Sequence, residues 1–429
     1  MKVSIYTLGC KVNLYESEVI INNFKKKGYE IVDFNDKSDI VIINTCTVTN
    51  TSDKKSRNII RQAIKNNPNA VIVVMGCYSQ VRSDDIKSIP GVNIILGNTN
   101  KSRVVEIVED YIKENKSKNL IENIMKIPFE PMELDSFETK TRAFVKIQDG
   151  CNNFCSYCII PYSRGGIRSK EKDDVIKEIT CLVNNGYKEV VLTGIHTGHY
   201  GKDKYDYDFS DLLEELCKIK GLLRIRISSI EITELDDKFM KVLENEKIVN
   251  HIHIPLQSGC DKTLKEMNRK YNTEYFYNKI EKIRKIKKDI SITTDLIVGF
   301  PNETEDDFNS TCDFLKKVNF SKVHVFPYSR RKGTPADLME NQVDEKIKKE
   351  RVRKVLEISK ELELNYMSKF INKKLDVLIE TCENNIITGH TTNYICVKAN
   401  GDESMINTIQ KVLIKEIDYP VVKGVIIDK

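Results

Sequence analysis

Short β-branched runs alternate with stretches of helical period along most of the chain. Residues 2–8, 40–44 and 70–75 read as strands, with helices around 16–27 and 52–66. Such alternation predicts a mainly parallel sheet covered by helices. From about 110 to 140 the period is lost. Residues 114–119 are highly polar and 127–135 hold two prolines, so a domain boundary is expected there. A second alternating unit follows, with strands predicted at 142–148, 189–193, 223–228, 251–256, 292–298 and 322–326, and helices at 173–184, 209–218 and 303–318. Six βα units are too few for a closed eight-stranded barrel but suffice for an open one, with active residues at the carboxyl ends of its strands. Residues 341–369 read as a charged helical connector. Five short strands at 375–380, 386–390, 394–398, 409–417 and 421–427 then fit a small OB-like barrel. The expected fold class is α/β in three parts: a parallel-sheet domain over 1–113, a partial (βα)6 barrel over 137–368, and a β-barrel over 370–429.

Composition narrows the setting. With 40% apolar and 31% charged residues the 429-residue chain is that of a soluble globular protein. Its longest apolar run, 70–75, is far short of the roughly 18 residues that span a bilayer. No secretory leader is visible, and a cytoplasmic protein with no membrane partner is expected. The net charge of +5 is too small to mark a nucleic-acid binder. Locally, residues 262–288 hold ten Lys or Arg against three Glu, either a binding surface or a solvated helix face. Lys54, Arg57, Arg61 and Lys65 recur at helical spacing, opposite Ile60, Ala63 and Ile64. They form a candidate stripe for nucleic-acid phosphates, with a solvated face as the alternative.

Twelve cysteines in such a chain point to metal ligands or nucleophiles rather than disulfides. Cys181, Cys217, Cys260, Cys312, Cys382 and Cys396 have no useful spacing and read as ordinary buried residues. The other six are organised. Cys151, Cys155 and Cys158 stand in a C-x3-C-x2-C run directly after the first strand of the second unit. Structural zinc wants four ligands and no fourth Cys or His is near in sequence, whereas three thiolates on a four-iron cluster leave one iron open. Cys10, Cys46 and Cys77 are separated by 35 and 30 residues, yet each follows a predicted strand. Parallel strands share a carboxyl edge, where ligands bind, so these three are expected to converge.

The C-x3-C-x2-C loop, with Tyr157 before its last cysteine, resembles the radical S-adenosylmethionine (SAM) superfamily. The resemblance implies a [4Fe-4S] cluster on Cys151, Cys155 and Cys158 whose open iron holds SAM. Electron donation to SAM then yields a 5′-deoxyadenosyl radical. It also implies SAM contacts from Tyr157 beside the adenine, Gly194 in a turn that lacks the usual acidic residue, Ser228 and Ser229 after the third strand, and Gln257 after the fourth. Arg164 and Arg168 either pair with an anionic group or brace the loop. Over essentially the whole chain the pattern resembles the radical SAM methylthiotransferase family. Thr7-Leu8-Gly9-Cys10-Lys11-Val12-Asn13, Asn44-Thr45-Cys46-Thr47-Val48-Thr49 and Ile159-Ile160-Pro161 carry this resemblance. It implies two [4Fe-4S] clusters, the second on Cys10, Cys46 and Cys77 and concerned with sulfur, with a C-terminal TRAM domain that binds RNA.

Asp53-Lys54-Lys55-Ser56-Arg57, Gly194-Ile195-His196-Thr197-Gly198 and His251-Ile252-His253-Ile254-Pro255 look most like the branch acting on N6-threonylcarbamoyladenosine at position 37, in the anticodon loop of tRNA. The implied reaction places methylthio on carbon 2 of the adenine, and implied partners are tRNA, a sulfur donor and an electron donor. The alternatives are a methylthiotransferase for another modified adenosine or a ribosomal protein, and a non-catalytic iron–sulfur redox sensor that binds RNA. One feature runs against RNA binding by the TRAM-like part: from Phe370 on it has seven Lys against eight acids. Stacking by residues such as Tyr394 is then the expected means.

Overall fold

A computed structural model describes residues 1–134, 136, 141–204 and 206–427. The N-terminal sheet has six parallel strands in the spatial order Glu30–Ile31, Lys2–Thr7, Ile40–Thr45, Val71–Gly76, Ile94–Leu96 and Lys118–Leu120. The three central strands are those the sequence predicts. The outer three are two or three residues long, too short to leave a period. Lys118–Leu120 falls in the polar stretch read as interdomain, so the sheet reaches further along the chain than expected. Part of the expected boundary, at 135 and 137–140, lies outside the described residues.

Chain order reverses direction between the neighbouring strands Lys2–Thr7 and Ile40–Thr45, making the sheet a doubly wound one with its switch point there. Apolar side chains leave the sheet on both faces. Val41, Ile43, Ile72 and Val74 pack on Ile60 and Ala63 of the helix Asn50–Asn66. Ile40, Ile42 and Val73 join Tyr15, Val19 and Ile20 in a core that continues into the second unit.

That unit is built on two three-stranded parallel sheets, Arg142–Lys146, Glu189–Thr193 and Arg224–Ile227, then His251–His253, Ser291–Val298 and Lys322–Pro327. A parallel bridge between Ile225 and Ile248 joins them into an open six-stranded wall, as predicted. The helix Glu345–Ser368 leads to a closed barrel of Lys374–Glu383, Ile386–Thr391, Cys396–Asn400, Val421–Ile426 and Ile409–Asp418. Val377, Ile379, Ile387, Val397, Val412, Ile414 and Val422 fill it, and Tyr366 and Phe370 at the helix end close one side. Among the described residues no helix is long and apolar enough to cross a membrane.

Candidate active site

The carboxyl edge of the N-terminal sheet brings its three cysteines together as the strand ends predict. Cys10 is the N-cap of the helix Lys11–Lys26, where a capping side chain usually accepts an N–H bond, but its thiol makes none and stays available. Gly9 lies at φ +103°, and a Cβ there would come 2.9 Å from the Cys46 Cβ and 3.0 Å from its Sγ. Only glycine allows the two loops so close. Gly76, also at φ +103°, turns the chain into Cys77. Burial, with Cys77 beside it, pushes the Cys46 thiol up to about 11. Buried neighbouring thiols stay protonated until a cation offsets their charge, which is what a metal cluster supplies.

Positive charge already faces this group. Arg164, from the short helix after Cys158, is fully buried and donates from Nε to Cys77 Sγ at 3.3 Å. Its Nη1 reaches Glu16 Oε1 at 2.9 Å and both Asp149 oxygens at 3.1 Å, and its Nη2 donates to Asn13. Lys101 and Lys146 also pair with Glu16, while Lys146 and Arg168 pair with Asp149. Four cations thus surround two carboxylates, and the excess lies beside the thiols. Burial opposes it, but Arg164, Lys101 and Lys146 hold the Glu16 carboxyl well below its usual range. Of the two readings of Arg164 and Arg168, this geometry favours bracing: both anchor Asp149, two residues before Cys151.

Cys151, Cys155 and Cys158 follow the first strand of the open barrel, with a small strand, Gln148–Asp149, before them. Burial pushes Cys151 up to about 11 and, with Cys155 next, Cys158 up to about 12. The Asn153 N–H points at Cys151 Sγ at 3.5 Å and Arg269 Nη1 at Cys155 Sγ at 3.2 Å. Arg269, held by Glu231, is the one member of the basic 262–288 run at this site. Several others are spent on the fold, as in Lys262–Asp307, Lys279 to the Leu235 carbonyl and Lys287 to the Ile248 carbonyl.

The reading that no histidine lies near this triplet needs correction in space. His196, at the end of the neighbouring strand, places Nδ1 3.5 Å from Cys151 Sγ. Burial, then His199, lowers its pKa to about 3, so it stands there as neutral imidazole. His196, His199 and Glu234 bring three ligand atoms within 4.8 Å of one another. However, Lys202 already pairs with Glu234 at 2.6 Å and the two imidazoles stack at 3.5 Å, the arrangement of a brace rather than an ion cage. Both cysteine triplets lack carboxylates among their donors and receive N–H groups on sulfur. That donor chemistry fits iron–sulfur clusters, whose potentials such bonds tune.

A cavity of about 870 Å³ runs through the open barrel. Cys10, Cys151, Cys155 and Cys158 line it, as do all five residues expected to hold SAM: Tyr157, Gly194, Ser228, Ser229 and Gln257. Cys46 and Cys77 lie buried behind the wall. Gln257 has φ +67°, a strained backbone for a side chain of its kind, maintained by bonds to the Asp295 carbonyl and from the Ile297 amide. A Cβ at Gly194 would stand 2.9 Å from Gln148 Oε1, which accepts the His196 N–H at 2.8 Å. The acid absent from the Gly194 turn has a neighbour in Glu231 on the next loop, a residue whose role no spacing announces.

Other expectations shift. Among the six scattered cysteines only Cys312 is fully buried, and Cys396 lines the cavity because it opens a strand at the barrel's mouth. Tyr394, the aromatic expected to stack on RNA, is 40% exposed and faces the cavity, packed on His390 and Arg226. On the helix Asn50–Asn66, Lys54 and Arg61 are exposed as the stripe requires. Arg57 is half-buried and donates to the Tyr78 hydroxyl at 2.8 Å.

Comparison with known proteins agrees with this layout. Residues 145–315 match the radical SAM superfamily, and residues 2–97 match the uncharacterized protein family UPF0004. The chain is 48% identical, over 98% of its length and 95% of the relative's, to the threonylcarbamoyladenosine tRNA methylthiotransferase MtaB of Bacillus subtilis. It is 40% identical to the protein of that name in Aquifex aeolicus, over 94% of this chain and 97% of that one. A tRNA-2-methylthio-N(6)-dimethylallyladenosine synthase of Clostridium perfringens is 37% identical over 94% and 93%. Among solved structures, the radical S-adenosylmethionine methyltransferase TsrM of Kitasatospora setae shares the fold, with a TM-score of 0.60, 13% identity and coverage of 78% and 73%.

Proposed function

We propose, for a chain that belongs to the radical SAM tRNA methylthiotransferase family, that it converts N6-threonylcarbamoyladenosine at position 37 of tRNA to the 2-methylthio derivative. The observation that carries this reading is that Cys10 and the Cys151 triplet open onto one cavity, while Arg164 spans from Cys77 to Asp149 behind it. When bound, two four-iron clusters and SAM supply the electron, the hydrogen-abstracting radical, the sulfur and the methyl group. The chain's own residues hold and orient. Cys151, Cys155 and Cys158 take one cluster and Cys10, Cys46 and Cys77 the other. Tyr157, Gly194, Ser228, Ser229 and Gln257 form the SAM bed. Arg269 donates to the Cys155 sulfur, which would hold the cluster, and is itself fixed by Glu231. The cavity wall shields the radical chemistry from bulk water. Sulfur and electron donors are further partners of this reading.

Anaerobically reconstituted protein is expected to bind about eight irons per chain and to cleave SAM reductively to 5′-deoxyadenosine. A redox sensor would hold iron and make no such product, so its absence from a fully loaded preparation counts against the enzyme.

The tRNA contact is proposed to include Lys54, Arg57 and Arg61. Because Arg57 is tied to Tyr78 and half-buried, Lys54→Gln and Arg61→Gln should each reduce the salt slope of tRNA binding by roughly one unit, and Arg57→Gln by less. Unchanged slopes in the Lys54, Arg61 double substitution would leave this face merely solvated.

A further inference from the structure

At and behind the inner wall of the cavity lies positive charge that the neighbouring carboxylates do not offset. Lys11, next to Cys10, lines the cavity, and its strongest charged neighbours are Arg226 and Arg142, both cations. Among the described residues it makes no ion pair. Arg226 is 2% exposed; its Nε donates to Glu189 at 2.8 Å, while Nη1 and Nη2 have no partner. His251, on the cavity wall, likewise leaves Nδ1 unpartnered, with Nε2 3.2 Å from the Thr293 hydroxyl. Glu189 serves both Arg224 and Arg226, and Glu380 serves Arg142. Lys11 and three arginines therefore face two carboxylates, an excess of two positive charges. The remaining acids of the cavity have cationic or imidazole partners of their own: Glu231 with Arg269, Asp295 with His253, Glu363 with Lys322. Lys11 is exposed and faces the cavity, while Arg226 and His251 are buried. Buried polar atoms without partners are costly and rare, and an anion in the cavity is the simplest group that answers the positive charge gathered here.

We infer that Lys11, Arg226 and His251 form a carboxylate subsite, and, resting on the substrate reading above, that its ligand is the threonyl carboxylate of the modified adenosine. Carbon 2 and carbon 6, which carries N6, belong to the same six-membered ring of adenine. A base whose carbon 2 faces the cluster at Cys10 thus places its N6 substituent within reach of the adjacent residue, Lys11. Lys11 makes the direct ion pair. Arg226, behind the Tyr394 ring at 4.3 Å, supplies positive field, and His251 offers its Nδ1–H from the wall in the tautomer whose Nε2 accepts from the Thr293 hydroxyl. An apolar N6 substituent would leave these groups unanswered, so the subsite also selects against it.

The test uses the cluster-loaded enzyme without SAM and two anticodon stem-loops, one with threonylcarbamoyladenosine and one with its threonyl carboxylate converted to the primary amide. Wild type should bind the carboxylate form at least ~10-fold tighter, the effect of losing one charge-assisted hydrogen bond. Lys11→Met should bind both forms alike, Lys11→Arg should recover part of the preference, and SAM affinity should be unchanged in both. Equal binding of the two stem-loops by wild type overturns the subsite without needing any variant to fold. So does a Lys11→Met enzyme that keeps the preference, or one whose loss is in SAM affinity instead, which would assign the site to the SAM carboxylate. Failure of the substrate reading looks different: methylthiolation of another adenosine, with no turnover of either stem-loop.

Discussion

Replacing Arg164 with methionine is expected to destabilise the protein by about 3–5 kcal/mol, as for a buried ion pair that loses one partner. The guanidinium is fully buried and donates to Cys77, Glu16, Asp149 and Asn13 at once. Methionine fills similar space and donates nothing, so acceptors from both domains lose donors with no water to replace them. Lys101, Lys146 and Arg168 remain, so each carboxylate keeps a cationic partner, and the loss lies mainly in unmade hydrogen bonds. The same change removes the positive group nearest Cys77, and iron retention at the N-terminal site should fall before that at the Cys151 site. Denaturant unfolding with iron analysis checks both effects. An unchanged midpoint would mean that this network is not what joins the two domains.

The second large effect concerns the division of work between the cysteine triplets. Replacing Cys10, Cys46 and Cys77 with alanine should abolish methylthio insertion, yet leave 5′-deoxyadenosine formation measurable and about half the iron bound. The motive is spatial: Tyr157, Gly194, Ser228, Ser229 and Gln257 share the cavity with the Cys151 triplet, whereas Cys46 and Cys77 lie behind its wall. Replacing Cys151, Cys155 and Cys158 should remove both activities. Anaerobic turnover with dithionite and substrate tRNA reads both products. A folded N-terminal variant that keeps its second cluster but forms no 5′-deoxyadenosine would refute this division, and so would one that still inserts methylthio.

Much of this was legible in the chain because each cysteine is tied to a strand end, and strand ends of parallel sheets converge by rule. Periodicity anticipates to within a residue or two that Cys10 and Cys46 follow strand ends; that these two strands flank the switch point depends on the short strand Glu30–Ile31, which leaves no such pattern. The ion network was not legible. Glu16 and Arg164 are 148 residues apart, and nothing local in either segment announces the other. Arg269 was visible only as one charge among ten, because burial rather than composition distinguishes it from Lys262 or Lys287. The direction Tyr394 faces was not legible for a similar reason: the barrel turns this exposed ring toward the cavity, which no local pattern announces. The two- and three-residue strands at 30–31, 94–96 and 118–120 were missed because alternation needs more positions than they have.

The most direct test of the substrate is mass analysis of tRNA nucleosides from cells that make N6-threonylcarbamoyladenosine and lack any enzyme of this family, with and without this chain expressed. The expected result is loss of threonylcarbamoyladenosine and gain of its 2-methylthio derivative only when the chain is present, and only with Cys151, Cys155 and Cys158 intact. Unchanged threonylcarbamoyladenosine alongside methylthiolation of dimethylallyladenosine would contradict the account.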